Sequence, residues 1–335
     1  MFLGNEKRRC YRLSKLDFNI FTDNYTYQRN VNHVTADLEK RLAGMYGAKR
    51  VFLTNSCMEA ISILFDYLLP KGGKVVINKN TYYETRQWLK MSKRFEVVEL
   101  DFSRLSIFTS LEEEMEIKEI IKDASVFYLD YPSFFMKFYD LQEILSFVKS
   151  VNAKLITDNT VLSLYYTNPI KIGVDYVVES YSKYVAGHGD VMAGGIVCKD
   201  EPEDEMKVFV GRRGCCVSAM TVFLLERSLE TLDVRMKKHT ENGRFISENL
   251  NKLNVKNCYS GYGGCIIFPG KGEEFCDKLS QKGHFKKCPT FGTTFSTTSF
   301  VRSPDLYDVK SYARISCGLE DKVVLWDDIY KSLYE

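Results

Sequence analysis

From residue 50 to residue 198, short apolar runs alternate with amphipathic stretches. RVFLT (50–54), KVVIN (74–78), residues 95–100, SVFYL (125–129), KLITD (154–158), VDYVVE (174–179) and GGIVC (194–198) have the length and composition of buried strands. Between the first two, CMEAISILFDYLL (57–69) carries Met58, Ile61, Leu64, Phe65 and Leu68 at helical spacing, and 82–92, 111–121 and 139–150 read as further helices. Strands without a polar face, joined by helices, imply an α/β fold: a mostly parallel seven-stranded sheet sandwiched by helices. Upstream, Thr35 is expected to cap a helix whose apolar face is Leu38, Leu42 and Met45 and which stops at Gly47. Downstream, a helical region from about Ala219 to Leu250 leads to a smaller α+β unit with strands near 263–268 and 312–316 and a last helix near 323–334. The expected organisation is an N-terminal arm (1–34), a large domain (35–220), and a linking helix with a small C-terminal domain (221–335).

Composition narrows the function classes. With 46 Lys and Arg against 44 Asp and Glu the net charge is +2, which argues against a nucleic-acid or membrane-surface partner. No run approaches the roughly 18 apolar residues of a membrane span. The opening MFLGNEKRRC has its charges after the apolar start, opposite to a signal peptide, so a cytoplasmic location is expected. The ten cysteines are scattered without a C-x-x-C pair, so reduced thiols are expected rather than a zinc knuckle or a disulfide framework.

In open parallel sheets, ligands bind beyond the carboxyl ends of the strands. Asp130 ends SVFYL, Asp158 ends KLIT, and Ser180, Ser182 and Lys183 follow VDYVVE. Ser56, Cys57 and Met58 join a strand to a helix, where unpaired N–H groups suit an anion. Pyridoxal 5'-phosphate needs a lysine for its aldehyde, a carboxylate for its pyridine nitrogen and a cradle for its phosphate. Lys183, Asp158 and the Ser56, Ser180 and Ser182 set supply one of each; no metal ligand set is read.

The stretch ESYSKYVAGHGDVMAGGIV (179–197) resembles the lysine loop, S-x-T/S-K-Y-x-x-G-H-x-D, of the Cys/Met-metabolism (trans-sulfuration) pyridoxal-phosphate enzymes, the family of cystathionine γ-lyase and γ-synthase. Further likenesses follow in family order: YQRNVNHVT (27–35), NSCM (55–58), Tyr82 in NTYYET, DYPS (130–133), DNT (158–160) with NP (168–169), LLERSLETLDVRMKKHTEN (224–242) and ARISCGLED (313–321). The resemblance implies fold type I. It implies that Lys183 holds the cofactor and moves the Cα proton, that Asp158 faces the pyridine nitrogen, and that Tyr82 stacks on the ring and exchanges protons with the leaving group. Ser56, Ser180 and Ser182, with the backbone at Cys57 and Met58, would take the phosphate. Tyr27 and Arg29 would reach the phosphate in a neighbouring subunit, so a homodimer or homotetramer with shared active sites is implied. Arg314 would grip the substrate α-carboxylate, with Thr290 beside it. His188 and Asp190 read as structural, and His239 as a solvated or interhelical residue.

The chain also departs from the family pattern. Cys57 replaces a glycine of the phosphate loop, Phe134 an asparagine after DYPS, and Tyr83-Glu84 a Gly-Gly pair. In CPTFGTT (288–294), Pro289 stands where the family has a glutamate tied to the distal amine of cystathionine. The expectation is a retained cofactor engine with a rebuilt pocket. It would carry out β/γ-elimination or γ-replacement on a small L-amino acid with a heteroatom leaving group and an uncharged or small distal part. Transamination is the alternative, and a catalytically silent pyridoxal-phosphate-binding protein a second one.

Overall fold

A computed structural model of the chain describes residues 33–105, 110–200, 204–302 and 311–335. Its elements run α1 (His33–Tyr46), β1 (Arg50–Thr54), α2 (Cys57–Leu68), β2 (Gly73–Asn78), α3 (Tyr83–Ser92), β3 (Phe95–Leu100), α4 (Leu111–Ile120), β4 (Ala124–Asp130), α5 (Leu141–Ser150) and β5 (Lys154–Asp158). Then come the short α6 (Ser163–Tyr166) and α7 (Pro169–Ile172), β6 (Tyr176–Glu179), β7 (Gly194–Cys198), α8 (Asp204–Arg212), α9 (Ala219–Leu229) and α10 (Leu232–Lys252). The chain closes with β8 (Cys258–Tyr259), β9 (Cys265–Pro269), α11 (Glu273–Gln281), β10 (Phe285–Lys287), β11 (Ser296–Arg302), β12 (Ser311–Ser316) and α12 (Lys322–Tyr334).

The larger sheet has seven strands among the described residues, in the order β1-β7-β6-β5-β4-β2-β3. All its pairings are parallel except those of β7 with β1 and β6. The period-2 alternation of a strand sends Val76, Phe127, Leu155, Val177 and Val197 into one buried layer, and Val75, Val126, Ile156, Val178 and Ile196 into the other. Each such side chain contributes about 1.5–3 kcal/mol of burial, so helices are required on both faces. The smaller sheet runs β10-β11-β12-β9-β8, packed on α10, α11 and α12 around Ile246, Phe268, Leu279, Ala313, Ile315 and Leu325.

Three sequence expectations change. The first helix begins at His33, which puts Thr35 inside its first turn instead of at the cap. The helical region from 219 to 250 is two helices, broken at Glu230 and Thr231. There the Ser228 carbonyl accepts from the Thr231 N–H (3.2 Å) and from Arg235 Nη2 (2.9 Å), so a tight turn interrupts the α-helical ladder. Strand β11 was not anticipated because it reads STTSFVR, a polar run. Ser296, Thr297 and Thr298 are nonetheless buried; the Ser296 N–H and hydroxyl both reach the Glu320 carboxylate, at 2.7 and 2.9 Å.

Candidate active site

The carboxyl ends of β4 and β5 are in register, so Asp130 and Asp158 stand side by side on neighbouring strands. Both are more than nine-tenths buried, at 6% and 8% exposure. Asp158 is well supplied with donors: the Thr160 N–H at 2.9 Å on Oδ1, and on Oδ2 the Tyr128 hydroxyl at 3.1 Å and the Cys57 thiol at 3.9 Å. Burial raises its pKa above the usual carboxylate range, and these donors offset only part of that rise. Asp130 accepts the Tyr82 N–H at 2.6 Å on Oδ2. Tyr82 is thereby held at the start of α3, its ring half exposed in the single chain.

The start of α2 closes against this layer. Ser56 is its N-cap and accepts the Glu59 N–H at 3.1 Å, while the Ala60 N–H bonds to the Ser56 carbonyl. That leaves the Cys57 and Met58 N–H groups of the first turn without an acceptor among the described residues. The close approach depends on Gly194 of β7, where a Cβ would lie 2.5 Å from the Cys57 nitrogen. Cys57 is therefore a thiol at the floor of the site, directed at Asp158; burial first, then the Asp158 charge, pushes its pKa well above the usual thiol range.

Lys183 lies in a tight turn after β6, its N–H bonded to the Ser180 carbonyl at 3.2 Å. The turn is clamped from α10. Arg235 is buried and donates to the Tyr184 and Val185 carbonyls, and Gly187, at φ +76°, has no room for a Cβ beside that guanidinium. The Lys183 ammonium donates to Thr290 Oγ1 at 3.1 Å and sits 5.2 Å from the centre of the Phe291 ring. The Arg314 guanidinium lies 5.1 Å from the same ring and donates to the Pro289 carbonyl. Burial and the Arg314 charge both lower the Lys183 pKa. The Tyr82 pKa is raised, by burial first and then by Glu84, with Arg314, Asp158 and Cys57 also within electrostatic reach.

Lys183, Asp158, Tyr82, Cys57, Thr290 and Arg314 thus come together by direct contact or electrostatic reach. Ser180 joins through its N–H, which donates to Thr160 Oγ1 at 2.8 Å. Ser182 is committed elsewhere: its hydroxyl donates to the Ala193 carbonyl at 3.1 Å and accepts the Ala193 N–H at 2.9 Å, which pins the lysine turn to the residue just before β7. Tyr27 and Arg29 lie outside the described residues. His188 is tied to the Ala186 carbonyl at 2.6 Å, a structural contact. His239 differs from its expectation as a solvated or interhelical residue: it is fully buried, bonded to the Cys317 carbonyl at 2.7 Å and packed on the Tyr184 ring. Phe134 packs on Tyr312 of β12 at 4.9 Å, and Phe135 on the same ring at 5.7 Å. Phe295 packs beside Gly189 and under Lys286.

Sequence reasoning passed over Phe291, Tyr312 and Thr160. Thr160 could have been found from its place in DNT, two residues beyond Asp158. Tyr312 shares a strand face with Arg314 by the period of two, but Phe291 had no signal beyond its neighbours.

The donor set fits pyridoxal phosphate. A buried carboxylate lies opposite two unpaired N–H groups of a helix start, with a lysine of lowered pKa and an arginine alongside. A family model described as "Cys/Met metabolism PLP-dependent enzyme" matches residues 10–262. The chain belongs to this family. Within it, the chain is 32% identical over 252 residues to an L-methionine gamma-lyase of Fusobacterium nucleatum, a match covering 73% of this chain and 62% of that relative's length. It is 27% identical over 309 residues to a cystathionine gamma-synthase of Haemophilus influenzae, covering 90% and 81%. The crystal structure of metB from Corynebacterium glutamicum superposes with a TM-score of 0.83 at 27% identity, over 93% of this chain and 87% of that one. The fold is accordingly fold type I of this pyridoxal-phosphate-dependent family. No helix among the described residues is long and apolar enough to cross a membrane.

Proposed function

We propose that this family member is an enzyme that eliminates, or replaces, a heteroatom group on Cβ or Cγ of a small L-amino acid, with preference for an uncharged distal group. One observation carries the reading: a lysine of lowered pKa shares the Phe291 ring with the Arg314 guanidinium. A base for a Cα proton thus lies next to a partner for the α-carboxylate. Pyridoxal phosphate, when bound, supplies the electron sink that makes the Cα proton acidic. Asp158 would hold the pyridine nitrogen protonated, and the Cys57 and Met58 N–H groups, with Ser56 and Ser180, would hold the phosphate. Ser182 acts through the lysine turn instead.

Arg314 fixes the carboxylate as a planar guanidinium does, by two parallel hydrogen bonds. Lys183 takes the Cα proton, and its lowered pKa favours the free amine that this requires. Tyr82 keeps its own proton because burial raises its pKa, so it can protonate the departing heteroatom. Phe134, Phe135 and Tyr312 form an aromatic wall on the Arg314 strand and Pro289 brings no charge, which favours a thioether or acyl group over a distal ammonium. The lyases and synthases among the relatives support elimination or replacement over transamination. Free thiols at all nine cysteines among the described residues favour a reducing compartment, the cytoplasm.

The test is a mass-spectrometric screen of small L-amino acids, including O-acylated homoserines, with and without thiols. A 2-oxo acid and ammonia mark elimination, and a new thioether marks replacement. A requirement for added 2-oxo acid at every turnover would point to transamination instead, and bound cofactor with no product from any substrate to a silent binding protein.

Assembly belongs to the same proposal. Tyr27 and Arg29 are taken to complete a neighbouring subunit's site in a homodimer or homotetramer. Mixing inactive Arg29→Ala and Lys183→Ala proteins is expected to restore activity, since a hybrid dimer holds one intact site. No recovery after demonstrated subunit exchange would remove the shared site.

A further inference from the structure

Asp130 has no role in the proton transfers above, yet its surroundings are unlike those of a spare carboxylate. It lies in register with Asp158 on the adjacent strand and is buried to the same degree. The two are supplied very differently. Asp158 has the Thr160 N–H, the Tyr128 hydroxyl and the Cys57 thiol. Asp130 has one backbone N–H, from Tyr82, on Oδ2; its Oδ1 is buried with no hydrogen-bond partner among the described residues. Two carboxylates side by side in a dry layer do not both ionise, and the charge settles on the one with more donors.

We propose that Asp130 is a neutral carboxylic acid in the working site, a positioning residue that holds Tyr82 through Oδ2 and offers its Oδ1 hydroxyl to an oxygen of the bound cofactor. This rests on the pyridoxal-phosphate reading of the site and deepens it. An ionised Asp130 would be an acceptor at both oxygens with a donor for only one, and would add a second negative charge beside Asp158. A neutral acid accepts from Tyr82 at its carbonyl oxygen and carries a hydroxyl at the oxygen that has no protein partner. Burial and the Asp158 charge both push the Asp130 carboxyl well above the usual carboxylate range. The titratable groups that face the pair are Tyr128 on β4, Cys57 at the start of α2, Tyr82 ahead of α3 and Glu179 at the end of β6. Burial raises the pKa of all four, so none supplies a compensating positive charge.

The test uses the full chain and three variants, Asp130→Asn, Asp130→Ala and Asp158→Asn. Asparagine has the shape of the neutral acid and keeps one acceptor and a donor. In fluorescence titrations with pyridoxal phosphate, Asp130→Asn is expected to bind within about threefold of wild type. Asp130→Ala should bind roughly tenfold more weakly, the effect of one lost hydrogen bond in a desolvated site, and Asp158→Asn more weakly still. If Asp130→Asn binds as poorly as Asp158→Asn, Asp130 acts as an anion and the proposal falls. If Asp130→Ala binds like wild type, it offers nothing to the cofactor and the proposal falls as well.

A second arm needs no cofactor: melting of the cofactor-free chain between pH 5.5 and 8.5. A carboxyl raised in the folded state binds more protons folded than unfolded, so its contribution is full below the unfolded pKa and is lost as pH rises. The stability of Asp130→Asn relative to wild type should therefore grow with each pH unit. Glu39, a buried acid away from the pair, titrates in both proteins and cancels in the difference. A pH-independent difference would mean Asp130 is ionised throughout and would overturn the assignment. Should even wild type fail to bind pyridoxal phosphate, the wider functional reading fails by itself, and the melting arm still decides whether the Asp130–Asp158 pair holds a proton near neutral pH.

Discussion

The two walls of the site are built in opposite ways. The cofactor-side wall is acidic and buried: Asp130 and Asp158 at adjacent strand ends, Glu179 one strand further, and the start of α2 pressed on Gly194. The substrate-side wall is cationic and aromatic: Arg314 and Lys183 on the Phe291 ring, with Phe134 and Tyr312 stacked beyond. The first is fixed by the backbone register of a parallel sheet, which tolerates few changes. In the second, Phe291, Tyr312 and Arg314 hang on a loop and one strand of the smaller sheet, where side chains can change without disturbing the larger core.

Removing the residue that joins the walls is expected to have the largest effect. Lys183→Ala should abolish turnover, a loss of at least about 1,000-fold for a missing proton-transfer group that is also the covalent anchor. The yellow absorbance of lysine-bound cofactor should vanish with it. Should Lys183→Ala remain yellow, borohydride reduction and peptide mapping would identify another lysine and relocate the joint between the walls.

Next comes the substrate-side wall alone. Arg314→Ala removes a charge-assisted pair worth roughly 2–5 kcal/mol in a desolvated site, so KM should rise steeply for every amino-acid substrate while cofactor affinity stays near wild type. Steady-state kinetics beside a cofactor titration would separate the two. Equal losses in both would show that the two walls are one energetic unit.

The cofactor-side wall can be probed through stability. Glu179 is fully buried and accepts the Tyr46 hydroxyl, and burial pushes its pKa to about 8. Since the folded pKa lies above the unfolded one, its contribution is complete below about pH 4.3 and is lost as pH rises toward 8. Glu179→Gln keeps an acceptor for Tyr46 and removes that loss. It should melt higher than wild type at pH 8, by an amount on the order of 1–3 kcal/mol, and gain nothing at pH 5. A gain of equal size at both pH values would assign the effect to packing rather than to the buried acid.

The difference between the walls also explains what was legible in the sequence. The strand ends at Asp130, Asp158 and Glu179 could be read because apolar runs of five to seven residues announce where a buried strand stops. The lysine turn was legible because Gly187 has no room for a side chain beside Arg235 and both stand in long motifs. Strand β11 was not, because a run of serines and threonines looks like a loop until Glu320 is seen to take Ser296 and the Thr290 carbonyl the Thr297 hydroxyl. Nor was the commitment of Ser182 to Ala193, or the ring shared by Lys183 and Arg314. Both arise from contacts more than ten residues apart in the chain, which no local pattern encodes.

The smallest effect is expected where the substrate-side wall departs most plainly from its family. Pro289 presents only its carbonyl to the site, and that oxygen already takes the Arg314 guanidinium. A distal ammonium reaching this loop would lose water and find no anion, which disfavours cystathionine relative to an uncharged thioether or an O-acylated substrate. Pro289→Glu restores a carboxylate and retains the backbone carbonyl, so the grip of Arg314 on the α-carboxylate should survive. Because the loop is partly solvated, the new pair is worth about 0.2–1 kcal/mol. That corresponds to a gain of up to roughly fivefold in kcat/KM for cystathionine, with no change for O-acetylhomoserine. An equal gain on both substrates would mean that the loop acts through Arg314 and not through charge. If cystathionine is already the best of the two for the unaltered protein, the substrate-side wall has not been rebuilt in the sense argued here.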